Sequence, residues 1–308
     1  MGKDKFKNIT IQQLEILVAL VEAGSFTRAA AKLYLSQPSL TKQVQNLEDA
    51  AGARLVNRGA TGTTLTPEGQ IIYNYARRIV RLREDAKERV LALKEEESGH
   101  IYVSASTTPA TYILPHLLAR LKEIHPAIEV HVRMHDSDET LQTVLNDQAE
   151  MGFIGKEPEN KRLISRRLWK DTLVLAVPAG HSLTQQRTVK PADLTKAPFI
   201  IREKGSGTRA LIEECLEKQL HTTLSHFNVI CEMGSSEAVK EAVLAGLGVS
   251  ILSSFAIKRE LVQRLLGALP ISHCSMERYF YLVYKKQFPI MMYHRNFLDI
   301  VKRYSPSK

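Results

Sequence analysis

Apolar residues in the first 70 positions recur at the spacing of α-helices. A first amphipathic helix is indicated by Ile11, Leu14, Leu17, Val18 and Val21. Two shorter helices follow, and their apolar stripes consist of Ala29, Ala30 and Leu33, then Leu40, Val44 and Leu47. Ser25 and Ser36 are suitable N-caps, because a serine hydroxyl accepts a hydrogen bond from an early N–H of a helix. The pattern predicts two helices joined by a tight turn.

The face of the third helix that lies opposite its apolar stripe is polar. It carries Gln37, Ser39, Thr41, Lys42, Gln43, Gln45 and Asn46. Amides and hydroxyls suit the base edges of a major groove, and a lysine suits a phosphate. A merely solvated helix has a polar face as well, so the flanking segments decide between these two interpretations.

The segment that follows favours DNA binding. Residues 52–69 contain two short extended pieces around a Gly/Thr turn, which suits a β-wing against the DNA backbone. Residues 1–66 are therefore predicted to be a winged helix-turn-helix domain. The candidate contacts to bases or phosphates are Gln37, Ser39, Thr41, Lys42 and Gln45, and those to phosphates are Arg28, Arg54 and Arg58.

A long helix is predicted to begin at Pro67, since proline suits the first helical position. It runs to about residue 96 in a linker of residues 67–98, and Glu95-Glu96-Glu97-Ser98-Gly99 serves as a hinge. Its near-heptad apolar positions are Ile72, Tyr75, Ile79, Leu82, Ala86, Val90 and Leu93. They favour a coiled-coil-like dimer seam, because a recognition helix needs a two-fold partner on a palindromic site. Packing of this helix on its own domain is the alternative.

From residue 100 onwards, the pattern changes to alternating strands and helices. Strands are predicted within 101–105, 128–132, 151–155, 172–177, 198–202, 228–233, 246–252 and 278–285, and a final helix at 293–303. Such alternation predicts the α/β class, with parallel or mixed sheets covered by helices, for residues 99–308.

Three predicted strand ends are followed by small hydroxyl residues, in Ser106-Thr107-Thr108, Gly205-Ser206-Gly207-Thr208 and Gly234-Ser235-Ser236. Ligands of α/β sheets bind beyond the carboxyl ends of strands, where helix N-termini attract anions. Plain N-capping is the alternative for each segment, but three together predict a cleft for a small carboxylate or oxyanion. The candidate effector residues are Ser106, Thr107, Thr108, Thr208, Arg209 and Ser235, with Arg202 as a weaker option.

The chain resembles LysR-type transcriptional regulators over its full length, most specifically from Ile11 to Gly69. The residues that carry the resemblance are Leu14, Phe26, Ala29, Ala30, Leu33, Ser36, Gln37, Pro38, Ser39, Leu47, Glu48, Leu55, Arg58, Leu65, Thr66, Pro67 and Gly69. Val56-Asn57-Arg58 departs from the family pattern, which more often has an aromatic residue first. The resemblance implies a homodimer or homotetramer that binds promoter DNA, responds to an effector and contacts RNA polymerase.

The resemblance further implies a two-lobed domain of the periplasmic-binding-protein type (type II) in residues 99–308. Lobe 1 is expected at about 99–163 and 270–308, and lobe 2 at about 164–269, with chain crossings near 161–167 and 266–272. Ser106 and Thr107 match the usual effector position of the family. The loop 203–209 is similar to that of members tied to sulfur and related oxyanion metabolism, so a small anionic effector is expected.

The distribution of charge agrees with a DNA-binding N-terminal part. The 308 residues suggest two or three structural units and carry a formal net charge of +9. Residues 1–83 contain twelve Lys/Arg against six Asp/Glu, as attraction to phosphates requires. Neither a signal peptide nor an apolar run of membrane-spanning length is evident, so a cytoplasmic location is expected.

The remaining chemistry-bearing residues predict no metal, cofactor or enzymatic activity. Cys215, Cys231 and Cys274 are widely spaced and odd in number, which suggests unpaired thiols in a reducing compartment. Ligand spacing is lacking in the set Asp136, Asp138, His116, His125, His131 and His135. A binding protein, transport protein or enzyme on the same two-lobed fold is the alternative, but it leaves the basic N-terminal domain without a role. A purely architectural DNA-bending protein leaves the α/β region unexplained.

Overall fold

The computed structural model describes residues 5–59, 62–92 and 98–306. The chain divides into two compact units, Met1–Glu95 and Glu96–Lys308. The predicted seam residue Leu93 and the predicted hinge residues 95–97 lie outside the described residues. Within the described residues, no helix combines the length and the apolar character needed to cross a membrane.

The N-terminal unit is a helical domain with a β-hairpin. Its elements are α1 (Ile11–Ala23), α2 (Phe26–Lys32), α3 (Gln37–Ala51), β1 (Val56–Gly59), β2 (Gly62–Leu65) and α4 (Pro67–Ala92), after a 3₁₀ turn at Lys5–Asn8. The helix boundaries follow local chemistry. Thr10 and Gln13 form a capping box at the start of α1, and Gly24 ends it in the left-handed conformation with φ of 64°. Ser25 occupies the predicted N-cap position of α2, but its hydroxyl makes no capping hydrogen bond.

The α1–α3 helices and the hairpin enclose one apolar core. The predicted stripes supply it, and Leu17, Leu20, Ala29, Leu40, Leu47 and Leu55 are fully buried. The long helix α4 packs on its own domain with one face and leaves apolar residues exposed on another. Ile72, Ala76 and Val80 pack into this core, whereas Tyr75, Ile79, Leu82 and Val90 remain exposed. Ile72, expected in the dimer seam, therefore belongs to the intradomain face.

The C-terminal unit contains two sets of strands covered by helices. The strands are β3 (Gly99–Ser106), β4 (Ile128–His135), β5 (Met151–Ile154), β6 (Leu163–Pro178), β7 (Pro198–Arg202), β8 (Asn228–Met233), β9 (Ser250–Ser253), β10 (Leu266–Leu269) and β11 (Glu277–Lys285). The helices are α5 (Leu114–Ile124), α6 (Ser137–Leu145), α7 (Pro191–Leu194), α8 (Gly207–Lys218), α9 (Ser236–Leu244), α10 (Ser254–Val262) and α11 (Met292–Arg303). A π-helical turn at Pro109–Ile113 leads into α5.

The strands form a mixed sheet in the order β10-β6-β11-β5-β3-β4, in which β3 is parallel to both β4 and β5. Strand β11 runs antiparallel to β5 and β6. On the other side of the unit, β9 pairs with β6, and β7 pairs in parallel with β8. The arrangement confirms the α/β class and the two-lobed effector domain.

Strand β6 belongs to both lobes. Its residues 163–172 pair with β11, and its residues 173–178 pair with β9 and β10. The strand changes partners at Thr172 and Leu173 without a break in its backbone pairing near the crossing predicted at 161–167. The predicted strand 172–177 was too short at its start, because the exposed run Ser165-Arg166-Arg167 interrupts the apolar alternation on which such a prediction depends.

Two of the three cysteines are paired in the core of lobe 2. Cys215 on α8 forms a disulfide with Cys274, and their Cα atoms are 6.5 Å apart. The expectation of three unpaired thiols is therefore wrong for this pair, and Cys231 is the free cysteine among the described residues. A separation of 59 residues gives no pairing signal, since only the tertiary fold brings the two side chains together. Cysteine usage consequently no longer supports a reducing compartment.

Candidate DNA interface and effector cleft

The polar face of α3 is presented to solvent. Its apolar stripe, formed by Leu40, Val44 and Leu47, is buried, while Gln37, Ser39, Lys42 and Gln45 are exposed and Thr41 is half-buried. The hydroxyl of Ser36 accepts from the Ser39 N–H at 3.3 Å and begins the helix at the predicted position. The five predicted base or phosphate contacts of α3 thus share the side of the helix that faces away from the core.

The wing is attached directly to α3. The Glu48 carboxylate accepts hydrogen bonds from the backbone N–H groups of Leu55, at 2.8 Å, and Val56, at 3.2 Å. The Thr63 N–H donates to the Gly24 carbonyl at 3.2 Å, which ties the second wing strand to the end of α1. These bonds position the hairpin relative to the polar helix face.

The predicted phosphate contacts lie around this face. Arg28 on α2 and Arg54 before β1 are exposed, as phosphate binding requires. The backbone of Arg58 lies in β1, but its side chain, like the wing tip at residues 60–61, lies outside the described residues. Tyr34, to which sequence reasoning assigned no role, is 97% exposed in the turn between α2 and α3.

The predicted effector residues of lobe 1 line a small polar cleft between the lobes. The lining comprises Ser106, Thr107, Thr108, Asp136, Ser137, Arg202, Ser206, Gly207, Thr208 and Arg278. Its volume is about 10 Å³, room for roughly one water molecule. The ends of β3, β4 and β7 and the N-termini of α6 and α8 meet here, as the rule for α/β sheets predicts.

Arg202 joins the two lobes inside this cleft. It is 3% exposed, and its Nη1 donates to the Thr107 hydroxyl at 2.8 Å and to the Ser236 hydroxyl at 2.7 Å. Its Nε and Nη2 donate to the two carboxylate oxygens of Glu203, at 2.7 and 2.5 Å. This bidentate pairing offsets much of the cost of burying a guanidinium.

Arg278 provides a second buried guanidinium, which sequence reasoning did not identify. Its Nε donates to Asp171 at 2.9 Å, and Asp171 also accepts from the Ser253 hydroxyl at 2.7 Å. The guanidinium carbon lies 4.9 Å from the centre of the Phe280 ring. The Nη1 edge faces Gly155, since a Cβ built there would lie 2.9 Å from Nη1.

Helix N-termini complete the donor set of the cleft. Ser206 caps α8, and its hydroxyl accepts from the Thr208 N–H at 3.2 Å. Asp136 caps α6 and accepts from the Glu139 N–H at 2.8 Å. The lining therefore combines hydroxyls, the N-terminus of α8, the Asp136 carboxylate and two guanidinium groups that are paired with Glu203 and Asp171.

Two predicted effector residues lie outside the lining. Arg209 donates to Glu213 at 2.8 Å, to Glu232 at 2.6 Å and to the Arg202 carbonyl at 3.1 Å. Burial lowers the pKa of its guanidinium, but the bonds to both glutamates outweigh this effect and raise the pKa above its ordinary value. Ser235 caps α9 by accepting from the Ala238 N–H at 3.0 Å, and the neighbouring Ser236 contacts Arg202 instead.

Comparisons with known proteins agree with this architecture. Residues 11–70 match the family model of the bacterial regulatory helix-turn-helix protein, lysR family, and residues 94–306 match that of the LysR substrate binding domain. The chain is 34% identical to the HTH-type transcriptional regulator CysL of Bacillus subtilis over 265 residues, which cover 86% of this chain and 87% of CysL.

Solved structures share the fold. Full-length CbnR in complex with its target DNA is similar with a TM-score of 0.72 and 23% identity, covering 96% of this chain and 99% of CbnR. The regulatory domain of Synechocystis CcmR in complex with 2-PG is similar with a TM-score of 0.61 and 25% identity, covering 67% of this chain and 96% of that domain. These relatives are regulators, so an enzyme or a transport protein on the two-lobed fold is not favoured. The chain belongs to the LysR family of DNA-binding transcriptional regulators.

Proposed function

We propose that this regulator responds to a small oxyanion, either a carboxylate or a sulfur-type oxyanion, bound in the cleft between its lobes. The observation that carries the proposal is the pair of buried guanidinium groups, Arg202 and Arg278, beside the hydroxyls of lobe 1. Charge-assisted hydrogen bonds to an anion are roughly twice as strong as neutral ones. The related CcmR domain, solved with 2-PG, supports a small-molecule effector for this fold.

The closed cleft suggests how binding becomes a signal. Space for about one water requires the lobes to adjust before an anion enters. The Nη1 of Arg202 donates hydrogen bonds to the hydroxyls of Thr107 and Ser236. An oxyanion bound between the arginine and these hydroxyls would accept the hydrogen bonds of Nη1 in their place. The direct hydrogen bond between the lobes would thereby be replaced by a contact that runs through the effector. The effector would stabilise the distance between the lobes at which it makes its best contacts.

The DNA-binding part of the proposal assigns roles to individual residues. Base edges or phosphates are contacted by Gln37, Ser39, Thr41, Lys42 and Gln45, and phosphates by Arg28, Arg54 and Arg58. The exposed polar face of α3 and the attached wing support this assignment. The family role on promoter DNA further suggests a cytoplasmic location and contact with RNA polymerase.

We also propose that the chain acts as a homodimer or homotetramer. The exposed apolar residues of α4 support a seam between two copies. They are Tyr75, Ile79, Leu82 and Val90. Sedimentation analysis of the full-length protein tests the assembly, and Leu82→Lys is expected to shift it towards the monomer. A protein that sediments as a monomer before any substitution would contradict the seam.

The effector proposal is tested by thermal shift of the full-length protein with sulfate, sulfite, thiosulfate, selenite and common metabolic carboxylates. A ligand at a hundred times its dissociation constant stabilises the fold by about 2.7 kcal/mol, which is readily visible as a shift in melting temperature. Thr107→Val and Thr208→Val are expected to reduce the shift, while the control Thr195→Val, at a half-buried threonine outside the cleft lining, retains it. A folded protein whose melting temperature none of these anions changes would refute an anionic effector of these classes.

A further inference from the structure

Three potential metal ligands lie together on one face of lobe 1, away from the effector cleft. His100 is on β3, and Glu129 and His131 are on β4. The two strands are parallel, with His100 opposite Glu129 and Tyr102 opposite His131. Because side chains alternate along a strand, these four residues project from the same face of the sheet. Glu129 and His131 are exposed and His100 is half-buried, so the group is open to solvent.

One ligand atom of each of the three side chains lies close to the other two. His100 Nδ1 is 3.2 Å from His131 Nε2 and 3.4 Å from Glu129 Oε2, and all three ligand atoms lie within 4.8 Å of one another. Nitrogen and oxygen ligands at about 2.0–2.2 Å from a tetrahedral zinc are roughly 3.3–3.6 Å apart. Two of the three separations are therefore already near those of a zinc site. We propose that His100, Glu129 and His131 bind a divalent transition-metal ion, Zn²⁺ foremost.

A hydrogen bond between two imidazoles is the simplest alternative for the short His100–His131 distance. It accounts for only part of the geometry, because His100 Nδ1 also faces the Glu129 carboxylate. A ring nitrogen carries either one proton or one lone pair in the ring plane, so it serves one of these two neighbours. A cation at the centre is bound by all three groups at once. Two imidazoles and one carboxylate are a ligand set typical of zinc and its neighbours, not of magnesium or calcium.

The rings around the site hold the His131 imidazole in place. The His131 ring stacks on the Tyr102 ring with centroids 4.8 Å apart at an angle of 18°. The His100 and His131 rings meet edge to edge, with centroids 5.4 Å apart and the facing nitrogens 3.2 Å apart. Restricting the ring before the metal arrives lowers the ordering cost of binding. The His100 and Glu129 side chains are 40% and 59% exposed, which leaves access for the ion and for a water as the fourth ligand.

Metal binding at this position would fasten the start of β3 to β4. His100 is the second residue of β3, and residues 93–98 connect that strand in sequence to α4. The ion would therefore act at the point where the effector-binding unit begins. This site is independent of the proposed anion cleft, which lies at the opposite, carboxyl ends of β3 and β4.

The test uses full-length protein without an affinity tag, treated with a chelator and dialysed against Zn²⁺, followed by metal analysis. We expect about one ion per chain with the three-ligand site occupied. His100→Gln and His131→Gln should each weaken binding at least about tenfold, and Glu129→Gln should also weaken it. Co²⁺ bound in place of Zn²⁺ should show the visible absorption of tetrahedral coordination, and the histidine variants should lose it.

Two control variants make the result specific. His116→Gln removes an exposed histidine of the same lobe, and Cys231→Ser removes the free thiol among the described residues. Both should bind zinc as the unsubstituted protein does. Circular dichroism confirms that the variants fold, which is expected since the replaced side chains are partly or largely exposed. Absence of bound zinc, or undiminished binding by the double variant H100Q/H131Q, would overturn the proposal.

Discussion

The Nη1 atom of Arg202 lies 2.8 Å from the hydroxyl of Thr107, and this bond joins the end of β7 in lobe 2 to the end of β3 in lobe 1. The same Nη1 donates to Ser236 at 2.7 Å. Both bonds are buried, so they are not weakened by competition with water. An anion that enters here therefore changes the contact between the lobes directly.

Arg202 and Arg209 should differ in their effect on effector binding, although they are separated by only seven positions. Arg202→Gln removes a charged donor from the cleft, and a hydrogen bond to a charged group contributes about 1.5–3 kcal/mol. Anion affinity should fall roughly 10- to 100-fold by calorimetry. Arg209→Gln should retain most of the affinity, because Glu213 and Glu232 already engage this side chain outside the lining. A larger loss of anion affinity for Arg209→Gln than for Arg202→Gln would identify Arg209 as the effector-binding arginine.

The buried pair of Asp171 and Arg278 should contribute more to stability than the exposed pair beside it. Asp171→Asn leaves the Arg278 guanidinium without its carboxylate, at a cost of about 3–5 kcal/mol in the free energy of unfolding. The neighbouring pair Lys170–Glu277 is about half exposed. Glu277→Gln should therefore cost at most about 1 kcal/mol. Urea unfolding of both variants tests this difference, and equal losses would contradict the burial argument.

Removing a phosphate contact and removing a base contact should change the salt dependence of DNA binding differently. Arg54→Ala removes one proposed phosphate contact, and this should reduce the slope of log K against log salt by about 0.9. Gln45→Ala should leave the slope unchanged and weaken preference for the specific site. Fluorescence anisotropy with specific and unrelated duplexes measures both quantities. Lys190→Ala, an exposed charge change in the C-terminal unit, is the control and should leave the slope as it is.

Gly69 should be intolerant of even one methyl group. A Cβ at this position would lie 1.9 Å from the Leu55 carbonyl oxygen, where α4 passes the start of the wing. Gly69→Ala must therefore displace backbone, and overpacking of this kind costs about 1–3 kcal/mol.

Gly234→Ala is the matched control, because nothing lies within 4 Å of its added Cβ. Thermal melting should show a loss of stability for Gly69→Ala and a change within about 0.5 kcal/mol for Gly234→Ala. Unchanged melting of both variants would show that α4 and the wing have room to separate.

The N-terminal domain could be predicted closely because its signals are local. Leu40, Val44 and Leu47 lie within a single helix, and their spacing alone identifies the buried face. The hydroxyl residues of the cleft were also found, since Ser106, Thr107 and Thr208 each follow a recognisable strand.

The partners of the two cleft arginines could not be predicted from the local sequence pattern, because such a pattern does not show which distant residues meet in the fold. Arg278 begins an antiparallel strand, and its partner Asp171 is 107 positions away. Arg202 at the end of β7 lines the cleft, whereas Arg209 in α8 does not, and nothing in the local sequence distinguishes the two. The same limit applies to the His100, Glu129 and His131 group. Its members come from two strands that pair only in the folded sheet, and a search of neighbouring histidines for ligand spacing therefore predicted no metal.

The continuity of β6 restricts how the lobes can respond to an effector. A strand of 16 residues that is hydrogen-bonded to β11 at one end and to β9 and β10 at the other cannot let the lobes slide apart. It can bend or twist near Thr172 and Leu173, where its partners change. Asp171, which holds the cleft residue Arg278, directly precedes this position. If an effector moves the lobes, the continuous strand favours a change in the angle between them, and the surfaces farthest from Thr172 and Leu173 would then move most.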